Sequence, residues 1–140
     1  MDSKVVLLVE DCPDDVELIK RALHSHNVAN VIVVAQDGAE ALHYFFGEGG
    51  EQRPLPNLVL LDLRLPKVDG LEVLATLRAD RRTATLPVVV LTTSREQGDI
   101  IDSYRNGANS YVRKPLDFAE FVQAARAVGI YWLLLDEYDS

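Results

Sequence analysis

The stretch Leu58-Val59-Leu60-Leu61-Asp62-Leu63-Arg64-Leu65-Pro66 constrains the fold more than any other. Four apolar residues in a row run into a carboxylate, and a proline closes the segment. A short apolar run bounded by turn signals reads as a strand buried on both faces, as in a parallel sheet. A charge in the middle of such a strand costs several kcal/mol without a partner. Asp62 is therefore expected where the strand leaves the sheet, at its carboxyl end. In open α/β sheets that edge is where ligands bind. On this stretch alone Asp62 reads equally well as an aspartate that caps a turn.

The rest of the chain repeats the pattern. Lys4-Val5-Val6-Leu7-Leu8-Val9 is an apolar run ending at Glu10-Asp11. Cys12-Pro13-Asp14-Asp15 then opens a helix, with proline and acids suited to its first turn. Val16, Leu18, Ile19, Ala22 and Leu23 give that helix an apolar face to about His26. Val31-Ile32-Val33-Val34-Ala35 is a second buried run, and Asp37-Gly38 turns into a helix over 39–46. Residues 47–54 are polar and glycine-rich, a surface loop. After the Asp62 strand, Pro66-Lys67-Val68-Asp69-Gly70 leads to a helix over 71–79 and a polar loop at 80–83. Pro87-Val88-Val89-Val90-Leu91 is a fourth strand ending in Thr92-Thr93-Ser94. A helix over 97–106 stops at Gly107, the residue type expected just past a helix end. Asn109–Arg113 is a short fifth strand ending at Lys114-Pro115, and the last helix runs from Asp117 to about Asp136. Five alternations of strand and helix predict a doubly wound α/β fold: a five-stranded parallel sheet, flavodoxin-like, order 2-1-3-4-5, with five helices.

At 140 residues the expectation is one domain, its core over about 4–128. Net charge is −8, which argues against a nucleic-acid or anionic-membrane surface and favours cationic partners. The single cysteine, Cys12, excludes an internal disulfide framework and fits a reducing cytoplasm. No 18-residue apolar segment or signal-peptide pattern is present. His24, His26 and His43 are scattered, without the spacing of a helical metal pair.

Chemistry enters through the strand ends. The first ends in Glu10-Asp11, the third in Asp62, the fourth in Thr92 and the fifth in Lys114, all on one edge. Singly, these are helix-capping acids, a strand-end threonine and a solvated lysine. Together they are specific. Three carboxylates in one cleft repel, and two remedies exist. A hard divalent cation, Mg²⁺, takes oxygen ligands from one or two carboxylates plus phosphate oxygens. Lys114 adds a fixed positive charge that pairs with Asp62 or with an anion attached to it. An aspartate beside Mg²⁺ is a competent nucleophile toward phosphorus, and such transfer is mostly positioning and charge neutralisation.

With these residues in view, the sequence resembles a response-regulator receiver domain of two-component signalling. The matching motifs are Glu10-Asp11 after the first strand, Asp62 in LLDLRLPKVDG, Thr92 in LPVVVLTTS, and YVRKP with Tyr111, Lys114 and Pro115. The resemblance implies that Asp62 accepts a phosphoryl group from a histidine kinase, assisting its own phosphorylation and dephosphorylation without being an enzyme in the usual sense. It implies Mg²⁺ held by Glu10, Asp11, Asp62 and the backbone carbonyl of Arg64. It implies Thr92 and Tyr111 as a switch pair, Lys114 on the phosphoryl group, and a cis Lys114-Pro115 bond. Three departures stand out. Glu10 replaces the commoner aspartate, the Arg64 side chain flanks the site where it can contact or shield phosphate, and Thr93 stands where a smaller residue is frequent.

The end of the chain carries a second signal. Phe118, Phe121, Val122, Ala125, Val128 and Trp132 form one helical stripe. Beyond Gly129 the residues Ile130-Tyr131-Trp132-Leu133-Leu134-Leu135 are apolar all round. A patch of that size favours an interface, so a homodimer is expected, with Phe118, Tyr131, Trp132, Leu134 and Leu135 as candidates. The alternative is an extended monomer core. The tail, LTTS, the YVRKP run and the long loop before the third strand resemble stand-alone receivers associated with phytochrome-type histidine kinases. Four residues follow the last helix, so no output domain is expected. An aspartate-nucleophile phosphatase wants an acid two residues after Asp62, where Arg64 stands. A flavin or nucleotide module wants a glycine- or hydroxyl-rich loop after the first strand, where acids stand. A receiver-like interaction module without phosphorylation is the remaining alternative.

Overall fold

The computed structural model describes residues 4–25, 31–94, 96–127 and 129. Strands β1 (Val5–Val9), β2 (Val31–Ala35), β3 (Leu58–Leu61), β4 (Val88–Thr92) and β5 (Ser110–Arg113) form one parallel sheet in the order β2-β1-β3-β4-β5. Helices α1 (Pro13–Ser25), α2 (Gly38–Phe46), α3 (Gly70–Ala79), α4 (Gln97–Arg105) and α5 (Phe118–Ala127) connect and follow them. The expected architecture and strand order are those observed.

Alternation along each strand separates two cores. Val6, Leu8, Leu58, Leu60, Val89, Leu91 and Val112 face Ile19 and Leu23 of α1 and Phe121, Ala124 and Ala125 of α5. Leu7, Val9, Val59, Leu61, Val88 and Val90 face Ala41 and Phe45 of α2 and Val73, Leu74 and Leu77 of α3. Both faces of β1, β3 and β4 are thus dry, which is why these strands read as unbroken apolar runs. Apolar burial supplies the main driving force here.

Local signals set the boundaries. Asp37 caps α2, its Oδ1 accepting from the Glu40 N–H at 2.7 Å. Asp117 caps α5 rather than joining it, accepting from Ala119 N–H at 2.9 Å. Gly107 follows α4 at φ 105°, a left-handed backbone that suits glycine.

Two expectations need correction. The loop at 47–54 holds a 3₁₀ turn, Gly50–Gln52, with Gly50 buried. Arg53 pins it by donating to the carbonyls of His43, Tyr44 and Glu48. The last helix does not run unbroken past Gly129: it spans Phe118–Ala127, and Gly129 takes φ 78°. Tyr131, Trp132, Leu134 and Leu135 lie outside the described residues, whereas Phe118 packs half-buried against the α1/α5 core. Among the described residues no helix is long and apolar enough to cross a membrane.

Candidate functional site

Register assembles the site. Val9 pairs with Ala35 and with Leu61, so Glu10 and Asp62, each one residue further on, leave the sheet side by side. Backbone bonds carry the alignment past the strand ends: Glu10 N–H to the Ala35 carbonyl at 2.9 Å, Asp62 N–H to the Val9 carbonyl at 3.1 Å, and Lys114 N–H to the Thr92 carbonyl at 2.8 Å. Behind Asp62, Gly70 opens α3 so closely that a side chain there would run into the Asp62 carbonyl.

Glu10, Asp11 and Asp62 each offer a carboxylate oxygen, and the three lie within 4.8 Å of one another. Glu10 and Asp62 are buried and Asp11 is exposed, so the cluster opens to solvent on one side. Lys114, its side chain 7% exposed, closes the other side. Its Nζ donates to Asp62 Oδ2 and to Asp15 Oδ2, both at 3.1 Å, and to Glu10 Oε1.

Burial pushes the Glu10 carboxyl up to about 7, the Lys114 hydrogen bond opposing. Burial also works against the Lys114 ammonium, but its bonds to Glu10 and Asp15 and the charge of Asp62 outweigh it and hold the group above the ordinary lysine range. The extra methylene of Glu10 lets its two oxygens serve different partners, since Oε2 accepts from Cys12 N–H at 3.1 Å while Oε1 meets Lys114. One close-set acid cluster with a flanking lysine suits a hard divalent cation and an anion attached beside it.

The remaining expected residues take defined places. Thr92 is buried at the end of β4, its Oγ1 accepting from Ser94 N–H at 3.4 Å. Tyr111 is half-buried, and its hydroxyl donates to the Ser94 carbonyl at 2.8 Å. Burial pushes its phenol up, the Ser94 bond opposing. The Lys114–Pro115 bond is cis. Thr93 is exposed. The Arg64 side chain flanks the site from the α4 side, its Nη2 lying 2.9 Å from Asp99 Oδ2.

Sequence reasoning missed two acids. Asp15 was placed only as a helix-start charge, yet α1 begins beside the cleft and turns it onto Lys114. Its signal was legible: a first-turn acid one helical turn beyond Asp11. Asp99 gave none, since 35 residues separate it from Arg64.

A five-stranded sheet in this order with its acids and lysine at the carboxyl edge defines a receiver-type protein. Residues 6–126 match the response regulator receiver domain, and the chain belongs to that family. Curated relatives include a probable methanogenesis regulatory protein, FilR2, of Methanothrix harundinacea, 43% identical over 94% of this chain and 85% of its own. The response regulator Rcp1 of Synechocystis sp. is 37% identical over 93% of this chain and 89% of its own. Among solved structures, the bacteriophytochrome response regulator AtBRR superposes with a TM-score of 0.84 at 46% identity, covering 98% of this chain and all of that one. The Mn²⁺-bound form of Rcp1 gives 0.75 at 37%, covering 93% and 94%. The phosphorylated cyanobacterial phytochrome response regulator RcpA gives 0.77 at 40%, covering 92% and 91%.

Proposed function

We propose that this receiver accepts a phosphoryl group on Asp62 from a histidine kinase and signals through protein contacts. The observation that carries the reading is the convergence of Glu10, Asp11 and Asp62 within 4.8 Å beside Lys114, whose side chain is 7% exposed. In the transfer, an Asp62 carboxylate oxygen forms a bond to phosphorus while the phosphorus–nitrogen bond of the donor phosphohistidine breaks, its electron pair leaving with the imidazole. Lys114 balances charge on the phosphoryl oxygens from the closed side of the cleft. The Thr92 hydroxyl donates to one of those oxygens, and Tyr111, tethered to the loop after β4, moves in response. Glu10, Asp11, Asp62 and the Arg64 carbonyl would hold Mg²⁺, which neutralises phosphoryl charge when bound. Asp62 is an acceptor that assists its own modification, not the nucleophile of a turnover enzyme.

The kinase is read as phytochrome-type, supported by likeness to AtBRR and RcpA, both named for phytochrome systems. Residues 1–140 are read as one cytoplasmic receiver domain without nucleic-acid or membrane contacts, dimerising through α5 and the apolar run Ile130–Leu135. The test of the acceptor is intact mass after acetyl phosphate and Mg²⁺. Wild type is expected to gain one phosphoryl group and Asp62→Asn none. No gain in either would favour an interaction module without phosphorylation. The dimer is tested by light scattering across concentration, and a monomer at high concentration would overturn it.

A further inference from the structure

Arg64 stands two residues beyond Asp62, and Ser94 two beyond Thr92. Both converge on a single oxygen of α4. Asp99 Oδ2 accepts from Arg64 Nη2 at 2.9 Å and from the Ser94 hydroxyl. The Asp99 side chain is 12% exposed and that of Arg64 is 66% exposed, so the carboxylate is set in the fold while the cation reaches it from solvent. Ser94 extends the connection in two directions. Its carbonyl accepts from the Tyr111 hydroxyl, and its N–H donates to Thr92 Oγ1. A continuous polar chain therefore links the residue two past the acceptor, the first turn of α4, the end of β4 and Tyr111 on β5. Among the described residues Asp99 is the one acidic partner of the Arg64 guanidinium.

An ion pair whose cation is this exposed is weak and readily exchanged. A phosphoryl dianion is a stronger partner for a guanidinium, offering several acceptor oxygens to its planar fork. Arg64 is tethered by two residues to the atom that would carry such a dianion. We infer that Asp99 is a positioning residue: it holds the Arg64 side chain on α4 while Asp62 is unmodified and yields it to the phosphoryl oxygens once Asp62 is phosphorylated. This rests on the acceptor reading of Asp62. On hand-over Asp99 keeps the Ser94 hydroxyl but loses its cation, which is unfavourable for a buried carboxylate. The start of α4 and the loop holding the Tyr111 acceptor then shift to a new balance. Arg64 thereby carries the charge change at Asp62 to α4, in parallel with the Thr92–Tyr111 pair.

The test is a double-variant cycle on the full chain. Acetyl phosphate labelling rates with Mg²⁺ are followed by intact mass for wild type, Asp99→Asn, Arg64→Ala and the double variant. Asp99→Asn releases Arg64 and is expected to speed labelling about threefold, while in the Arg64→Ala background the same change has no effect. An equal effect in both backgrounds, or none in either, overturns the inference, because a merely structural Asp99 would act independently of Arg64. Should Asp99→Asn not fold, wild type and Arg64→Ala decide by NMR with Mg²⁺ and beryllofluoride as phosphoryl mimic. The wild-type Arg64 Nε–H signal and the amides around Asp99 are expected to shift, the latter by less than half as much in Arg64→Ala. An unmoved Arg64 signal in a protein that otherwise responds overturns the hand-over alone. A wild type that neither labels at Asp62 nor responds to beryllofluoride overturns the acceptor reading, and the hand-over with it.

Discussion

The two ends of the sheet are built on opposite principles. At the carboxyl end Glu10, Asp15 and Asp62 share Lys114, and Asp11 stands beside Glu10 and Asp62, so that four acids gather around one cation that bridges three of them. At the amino end Arg53, Arg78 and Arg82 reach mostly for backbone carbonyls. Arg78 donates to the carbonyls of Gly107, Thr83 and Ala84 and to Asn109 Oδ1, tying α3 to the approaches of β4 and β5. Arg82 donates to the carbonyls of Phe45 and Gly50, beside Arg53 on the same helix end. One end has its hydrogen-bond demands met by neutral acceptors. The other keeps uncompensated negative charge, tolerable because Asp11 and part of Asp15 face water and because a further cation can enter. Neutral acceptors thus serve one end and a crowd of acids the other, the pattern of a fold that breaks its own rules where it has a functional site.

Substitutions at the two ends should therefore separate labelling from stability. The largest effect is Asp62→Asn, which is expected to remove labelling while leaving urea stability within about 1 kcal/mol or raising it, because it relieves like-charge repulsion. A loss above that range would mean that Asp62 stabilises the fold through Lys114 more than it strains it. Next is Arg78→Ala at the amino end. It removes the side-chain donor to the Gly107 and Ala84 carbonyls and one of two donors to the Thr83 carbonyl and Asn109 Oδ1, and is expected to cost about 2–4 kcal/mol in urea unfolding, with labelling retained below the transition. A cost under about 0.5 kcal/mol would show that water replaces the arginine.

Adding Mg²⁺ at a hundredfold excess over its dissociation constant should stabilise the wild type by about 2.7 kcal/mol, read as a rise in the thermal midpoint. Asp11→Ala should abolish that rise at the same Mg²⁺ concentration, and an undiminished rise would place the ion elsewhere. The smallest expected effect is Asp15→Asn. Lys114 keeps Glu10 and Asp62, and Asp15 is partly exposed, so stability should change by under about 1 kcal/mol in calorimetry. A larger loss would make Asp15 part of the structural support of Lys114.

How much of this was legible in the chain depends on distance along it. The strands were legible because burial on both faces writes an unbroken apolar run, as in Leu58–Leu61. The shared edge followed, because a parallel sheet sends the ends of its strands the same way, placing Glu10, Asp62, Thr92 and Lys114 together. The helix expected over 117–136 is interrupted at Gly129, whose left-handed backbone the apolar stripe does not announce. The loop at 47–54 looked irregular, since the arginine that pins it reaches back to carbonyls about ten residues away.

The sequence alone determined the alternation, the strand order class and the acid, threonine and lysine at the strand ends, because these are local patterns repeated at a period the backbone imposes. Beyond the Lys114–Asp62 pair, tertiary structure alone decided which polar groups meet. Arg64 turns to Asp99 rather than toward Asp62, Asp15 joins Glu10 and Asp62 on Lys114, and Tyr111 hangs from Ser94. Those pairings span 17 to 104 residues, and periodicity carries no record of them. Long, charged side chains choose partners only after packing has fixed the distances, since the energy of a charge pair depends on separation and burial.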